Sequence, residues 1–164
     1  MWRLLHEQLP VDNVLAKFQG HGPSRCQCCS LPQLETLQHV FATGVLANEV
    51  WGFFGQSLGF ATPSVACVRS RCYKWWLLPV KGTALRWLSR VLPLLIVWFL
   101  WRARNMARFE GRNISIVKVR GWIIDELRLL IQVYFLTMTR VPLQWAILDL
   151  LSGVRRSLVS ILVR

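Results

Sequence analysis

Apolar side chains recur with the period of an α-helix along most of the chain, and this pattern predicts a mainly α protein. Near the N-terminus, Trp2, Leu5 and Leu9 fall on one face of a first short helix, and Asp12 is placed to cap a second. Further helices are predicted over residues 46–58, 66–78, 83–109, 115–137 and 143–164.

Two of these helices contain long uncharged runs, at residues 91–101 and 129–139, which raise the question of a membrane span. Each run is eleven residues long between two arginines, whereas a spanning helix needs about 20 residues. Pro93 lacks an N–H group, so it is expected to open its helix at the first turn or to kink it. We therefore expect buried core helices here.

A linker is predicted at residues 59–65, where Gly59 and Pro63 interrupt the helical pattern. It divides the chain into two parts. The first is a small helical domain at residues 1–58, and the second is a basic, apolar helical extension at residues 66–164.

The positive charge lies almost entirely in the second part. Residues 1–60 contain three basic and four acidic side chains, whereas residues 61–164 contain seventeen and four. Such an excess is typical of a protein that binds a polyanion, either a nucleic acid or an anionic membrane surface. A solvated basic surface is the alternative interpretation. Hydrophobic residues make up 54% of the chain, which argues against overall disorder.

The N-terminus and the cysteines indicate a reducing compartment. Residues 1–10 lack the apolar core and the small-residue cleavage site of a secretory signal. The chain has five cysteines, an odd number, and three of them are bunched at residues 26–29, which does not fit a secreted disulfide framework. We expect a nuclear or cytoplasmic protein that is not secreted.

A candidate metal site lies in the first part of the chain. Cys26 and Cys29 form a Cys-x-x-Cys pair on a loop, and His39 follows ten residues after Cys29. Zinc takes four thiolate or imidazole ligands in a tetrahedron, and a two-residue gap lets one loop present two sulfurs to the same ion. The alternative for His39 is a hydrogen-bonded core histidine. The alternative for the cysteines is a set of buried, unreactive thiols, and we interpret Cys28, Cys67 and Cys72 in this way.

Five ordered blocks within about residues 1–55 carry a family resemblance: WRLLH at 2–6, LPVDN at 9–13, SRCQCC at 24–29, ETLQHVF at 35–41 and VW at 50–51. They resemble the zinc-binding domain of plant non-LTR retroelement reverse transcriptases. The later blocks LP at 92–93, WRARN at 101–105 and FEG at 109–111 resemble part of the connector that precedes ribonuclease H in these proteins. The resemblance implies a zinc-knuckle-like domain with Cys26, Cys29 and His39 as ligands.

One departure from the family pattern concerns the last ligand. The family's site ends in His, four intervening residues and Cys, and the fourth position here is Gly44. Cys28, His21 or a water molecule would have to complete the shell. The residues leave open a decayed site without a relevant metal, a weak Zn²⁺ site, or a three-ligand catalytic site for which Glu35 is the nearest general base.

No catalytic centre of a polymerase or a ribonuclease H is predicted. Both need clustered carboxylates to hold two metal ions, and the eight acidic residues are scattered, with only Asp125 and Glu126 adjacent. Cys29 and His39 also have the residue types of a nucleophile and its base, although such a pair alone is a weak signal. The prediction is a non-catalytic, decayed or truncated fragment of a reverse transcriptase polyprotein, without a small-molecule substrate.

RNA or DNA is the expected partner, bound without sequence preference. The residues predicted to contact it are Arg102, Arg104, Arg108 and Arg112, the last three of which share a helix face at four-residue spacing if the helix continues through Gly111. The alternative is a small membrane-associated protein that lays apolar, basic-flanked helices into an anionic interface.

Overall fold

The computed structural model describes residues 1–19, 25–29, 33–60 and 67–138. These residues form six α-helices, one π-helical turn at His39–Thr43 and no strand; an isolated antiparallel bridge pairs Arg25 with Leu34. The α-helices are α1 (Trp2–Leu5), α2 (Asp12–Gln19), α3 (Val45–Ser57), α4 (Val68–Trp76), α5 (Thr83–Glu110) and α6 (Ile116–Met138). The prediction of a mainly α protein is confirmed.

The four helices predicted between residues 46 and 137 agree with the structure to within two residues at each end, as the bounds of α3 to α6 show. The helix predicted over residues 143–164 lies outside the described residues. Pro93 does not open its helix, because α5 continues for ten residues before it and seventeen after it. Proline in a helix interior leaves the carbonyl four residues earlier without its usual donor, which here is that of Ser89.

The prediction for the N-terminus is wrong in two respects. α1 ends after Leu5, since Glu7 takes a left-handed φ of 56° that cannot continue the helix, and Leu4 is the buried residue while Trp2 is exposed. Asp12 is not a cap but the first residue of α2. Its carboxylate lies near the positive end of that helix and pairs with arginines of α5.

One hydrophobic core includes residues from both sides of the predicted linker. Phe41 stacks on Trp101 of α5 with ring centroids 6.1 Å apart, and Trp51 packs against Trp75 of α4 at 5.8 Å. The indole Nε1 of the fully buried Trp51 donates to the Phe41 carbonyl at 2.9 Å. The division at residues 59–65 stays a prediction, because residues 61–66 lie outside the described part.

α5 is the one helix of the described ranges whose length and apolar composition would allow it to cross a membrane. Half of its most apolar window is buried inside the protein. The core helix of a soluble protein has the same properties, and the burial of Leu92, Ile96 and Leu100 fits that interpretation.

Candidate metal centre

Two separate segments bring Cys26, Cys29 and His39 together. The Cys26 and Cys29 Sγ atoms are 4.0 Å apart, and the Cys29 Sγ atom is 3.3 Å from His39 Nε2. The three ligand atoms all lie within 4.8 Å of one another. This is the only group of three or more such residues among those the structure describes. Cys26 and His39 are buried and Cys29 is half-buried.

These distances fit a tetrahedral zinc ion. With Zn–S bonds of about 2.3 Å and Zn–N bonds of about 2.0 Å, tetrahedral angles place two sulfurs about 3.8 Å apart and a sulfur and a nitrogen about 3.5 Å apart. The observed 4.0 and 3.3 Å differ from these values by a few tenths of an ångström. Two of the three separations thus match a tetrahedral ion, and the third, between Cys26 Sγ and the His39 ring nitrogen, lies within 4.8 Å.

Backbone hydrogen bonds hold both ligand segments in place. The Cys26 N–H donates to the carbonyl of Gln33 at 2.7 Å, next to the Arg25–Leu34 bridge, so the cysteine loop is closed across its base. The His39 N–H donates to Thr36 Oγ1 at 3.0 Å, which fixes the start of the π-helical turn. The ligands are therefore positioned by local structure as well as by core packing.

The π-helical turn explains why position 44 belongs to this site. In an α-helix, residues five apart point about 140° away from each other, but a π-helix closes a hydrogen bond between them. The Gly44 N–H donates to the His39 carbonyl at 2.8 Å. A Cβ atom at Gly44 would lie 3.1 Å from His39 Nε2. The position that supplies the last ligand in the family pattern thus directs its side-chain bond toward the site.

The same geometry leaves little room for a side chain. A Cβ atom at Gly44 would lie only 2.5 Å from the His39 carbonyl oxygen, so any substitution requires the backbone of the turn to shift. A cavity of about 10 Å³ lies among the three ligands, Cys28 and Gly44, and this is room for roughly one water molecule. Cys28 and water therefore remain candidates for a fourth ligand, and His21 lies outside the described residues.

Both thiols are protonated at neutral pH without a metal. A hydrogen bond with Cys28 and burial raise the pKa of Cys26 to about 11. A hydrogen bond with Cys26 and burial raise the pKa of Cys29 well above its usual range. Because the thiolate is the nucleophile, this argues against Cys29 as a cysteine nucleophile despite the nearby imidazole. Zinc would have to displace the two protons, as thiolate ligation requires.

The predicted general base, Glu35, is held in an ion pair. It is 1% exposed, and its carboxylate accepts from Arg104 Nε at 3.1 and 3.2 Å and from Arg104 Nη2 at 2.5 Å. It also accepts from the Asp12 N–H at 3.1 Å. Arg104 Nη2 is 3.0 Å from the Asp12 carboxylate, which Arg108 reaches at 3.1 Å. We call these four side chains, Asp12, Glu35, Arg104 and Arg108, the ion-pair network.

The four arginines predicted to contact nucleic acid do not form one surface. Arg104 is 1% exposed, so it cannot contact a phosphate while the ion-pair network is intact, and this part of the prediction needs correction. Arg108 is partly exposed and paired with Asp12, and Arg112 pairs with Glu110 at the surface. The exposed Arg102 lies over the Trp122 ring, 4.8 Å from its centroid. The condition that the helix continues through Gly111 is not met, because α5 ends at Glu110 and Gly111 takes a left-handed φ of 64°, so Arg112 lies beyond the helix. Spacing places Arg104 and Arg108 on one face of α5, but it does not show that this face packs against the first part of the chain.

Sequence reasoning missed the network, although one signal was available. Asp12 and Glu35 follow apolar residues in Pro10-Val11-Asp12 and Leu34-Glu35, within a segment that has only three basic residues of its own. Acidic residues are almost never fully buried unless they are paired. The scarcity of cations in the first part therefore favours partners from the basic second part, where Arg104 and Arg108 lie.

Comparison with known proteins agrees with the geometry. No curated protein and no solved structure gives a significant match to this chain. The resemblance of residues 92–111 to the connector before ribonuclease H stays a prediction. Over residues 1–51, which include Cys26, Cys29 and His39, the chain matches the model of the family described as zinc-binding in reverse transcriptase.

Proposed function

We propose that this chain is a non-catalytic piece of a plant-type, non-LTR retroelement reverse transcriptase polyprotein. Its N-terminal module binds one zinc ion, and its basic remainder binds RNA or DNA without sequence preference. The observation that carries the zinc assignment is the convergence of Cys26, Cys29 and His39 at distances suited to that ion. The family match over residues 1–51 supports the same assignment.

The bound zinc has a structural role in this proposal. Bonds from Cys26, Cys29 and His39 to one ion would tie the cysteine loop to the π-helical turn. Without the ion, these two segments meet through the contact between Cys29 Sγ and His39 Nε2. Zinc bound at such a site stabilises the folded state directly, because the unfolded chain offers no preformed site. Glu35 is occupied by Arg104, so no proton acceptor is assigned at the metal. A water molecule or Cys28 completes the shell at the position that Gly44 leaves without a ligand.

Metal titration of the full chain tests the zinc assignment, with Cys28→Ser as the matched control for Cys26→Ser. Both variants remove one sulfur from the same loop, but only Cys26 belongs to the three-ligand group. The reduced natural protein should bind one equivalent of zinc, and cobalt in its place should show thiolate charge-transfer bands and the visible bands of tetrahedral coordination.

The two variants then separate the alternatives. Cys26→Ser should lose the stoichiometric site and Cys28→Ser should keep it with water as the fourth ligand. Equal loss in both variants would instead assign Cys28 as the fourth ligand. If the natural protein binds no zinc, the site has decayed and the zinc part of the proposal is wrong.

A further inference from the structure

The middle of the chain carries no negative side chain at all. Between Glu49 and Glu110 there are nine basic residues and no acidic one. The ion-pair network takes up two of these cations, Arg104 and Arg108, by pairing them with acids from the first part of the chain. The remaining basic side chains that face solvent therefore give this part of the surface an excess of positive charge.

Five residues on α5 form a solvent-facing row at four-residue spacing, which we call the α5 stripe: Arg86, Arg90, Leu94, Trp98 and Arg102. Leu94 is 41% exposed and Trp98 is 60% exposed, although the same helix also supplies much of the core. With a rise of about 1.5 Å per residue, the stripe is about 24 Å long.

The charges of the α5 stripe are available to a partner. Arg86 and Arg90 have no carboxylate within ion-pair distance in the part of the chain that the structure describes. Arg102 lies over the Trp122 ring, so a contact with an aromatic face holds its side chain while the guanidinium keeps its charge. An exposed tryptophan therefore lies between arginines on both sides along this row, which winds by about 160° around the helix from Arg86 to Arg102 because four residues make slightly more than one turn.

We propose that the α5 stripe is the surface that binds single-stranded nucleic acid, with Arg86, Arg90 and Arg102 on phosphates and Trp98 stacked on a base. This rests on the nucleic-acid binding of the proposed function and replaces Arg104 and Arg108 as its contacts. Binding of single strands combines a basic track along the backbone with aromatic side chains that accept any base. The alternation of charge and one exposed aromatic ring along the stripe matches that requirement.

An anionic membrane fits this surface less well. A helix that lies in a membrane interface turns a broad apolar face toward the lipid. The broad apolar face of α5, with Leu88, Leu92 and Ile96, is already buried in the core. Leu94 and Trp98 are the only exposed large apolar residues in the stripe itself, and they are flanked by charges.

The test compares two triple variants of the full chain that remove the same charge. Arg86→Gln/Arg90→Gln/Arg102→Gln changes the stripe, and Arg3→Gln/Lys17→Gln/Lys118→Gln changes exposed cations elsewhere. Anisotropy of a labelled oligouridylate would be followed over a salt series, after circular dichroism and thermal unfolding confirm that both variants fold. The stripe variant should lower the slope of log affinity against log salt by about 2, since each lost phosphate contact contributes about 0.7 on single strands. The control should keep the natural slope.

A second variant tests the stacking contact. Trp98→Leu keeps an apolar side chain but removes the ring, so it should weaken binding to the oligouridylate by about 5- to 150-fold. It should weaken binding to the matched duplex much less, since paired bases are not free to stack on the side chain.

The outcomes separate the stripe from the wider proposal. Suppose that the natural protein binds the oligonucleotide. If the two triple variants then weaken binding equally, or if the stripe variant does not weaken it, the assignment to the α5 stripe is refuted and nucleic-acid binding stands. If the natural protein binds no oligonucleotide at low salt, both are refuted, while the zinc titration remains an independent test. Binding to phosphatidylserine vesicles that persists at high salt, without oligonucleotide binding, would assign the stripe to a membrane surface instead.

Discussion

Arg104→Met removes the cation at the centre of the ion-pair network and leaves the apolar stem of the side chain in place. Arg104 and Glu35 are each 1% exposed. Without the guanidinium, the Asp12 N–H is the one donor left to the Glu35 carboxylate among the described residues. Removing one partner of a buried ion pair costs about 3 to 5 kcal/mol, because the other charge stays buried without compensation. That is a large fraction of a total stability of about 5 to 15 kcal/mol.

Equilibrium unfolding in urea, followed by tryptophan fluorescence, measures this cost. Arg112→Gln is the matched control, because it also breaks an arginine–carboxylate pair, but both its partners are mostly exposed. We expect that control to change the free energy of unfolding by about 0 to 1 kcal/mol. The double variant Arg104→Met/Glu35→Gln should recover much of the loss, since a neutral amide can still accept from the Asp12 N–H and Asp12 keeps Arg108.

Two results would refute this reasoning. The first is a loss for Arg104→Met no larger than that for Arg112→Gln, which would mean that Glu35 is hydrated in solution. The second is a double variant as unstable as the sum of the single variants, since independent sites add and coupled sites do not.

Two further predictions concern Gly44 and Cys72. Gly44→Ala should lower the free energy of unfolding by about 1 to 3 kcal/mol, because its Cβ atom would lie 2.5 Å from the His39 carbonyl oxygen. Gly52→Ala in α3, where nothing lies within 4 Å of the new atom, should instead be neutral or stabilising by up to about 1 kcal/mol. In a competition assay with a zinc chelator, Gly44→Cys should bind zinc more tightly than Gly44→Ala. Equal zinc affinities would show that position 44 does not face the metal. Burial raises the pKa of Cys72 from its usual 9.0 to about 12. The contribution of the Cys72 thiol to the free energy of unfolding is therefore fully present below pH 9. It is lost at about 1.4 kcal/mol per pH unit as the pH rises toward 12. Thermal unfolding between pH 9 and 12 should show this loss in the natural protein and lack it in Cys72→Ala.

The sequence predicted those features that depend on neighbours in the chain. Helix bounds follow from apolar spacing, so α3 to α6 were predicted closely. The candidate ligands followed from residue type and from the two-residue gap between Cys26 and Cys29. The π-helical turn was not predicted, because nothing in the residues 39–43 distinguishes an i+5 hydrogen bond from an i+4 one before the packing around it is known.

The sequence did not predict which face of α5 would be buried. Four-residue spacing pairs Arg104 with Arg108 and equally pairs Arg86 with Arg90. Because about eighteen residues make five turns, a regular helix points both pairs in the same direction. Only contact with Glu35 and Asp12, 69 and 92 residues earlier in the chain, decides that Arg104 is the enclosed one. Spacing along a helix identifies residues that act together, but their environment is set by long-range packing.

The metal centre and α5 form one physical unit, although the family match ends at residue 51. Leu100 of α5 lines the cavity at the three ligands, Trp101 stacks on Phe41 inside the π-helical turn, and Arg104 neutralises Glu35 between the cysteine loop and that turn. These contacts come from the C-terminal half of α5, whereas the residues of the α5 stripe are exposed to solvent along the same helix. The proposed zinc site thus packs directly against the helix that presents the proposed stripe, and we expect any coupling between the two sites to act through these contacts.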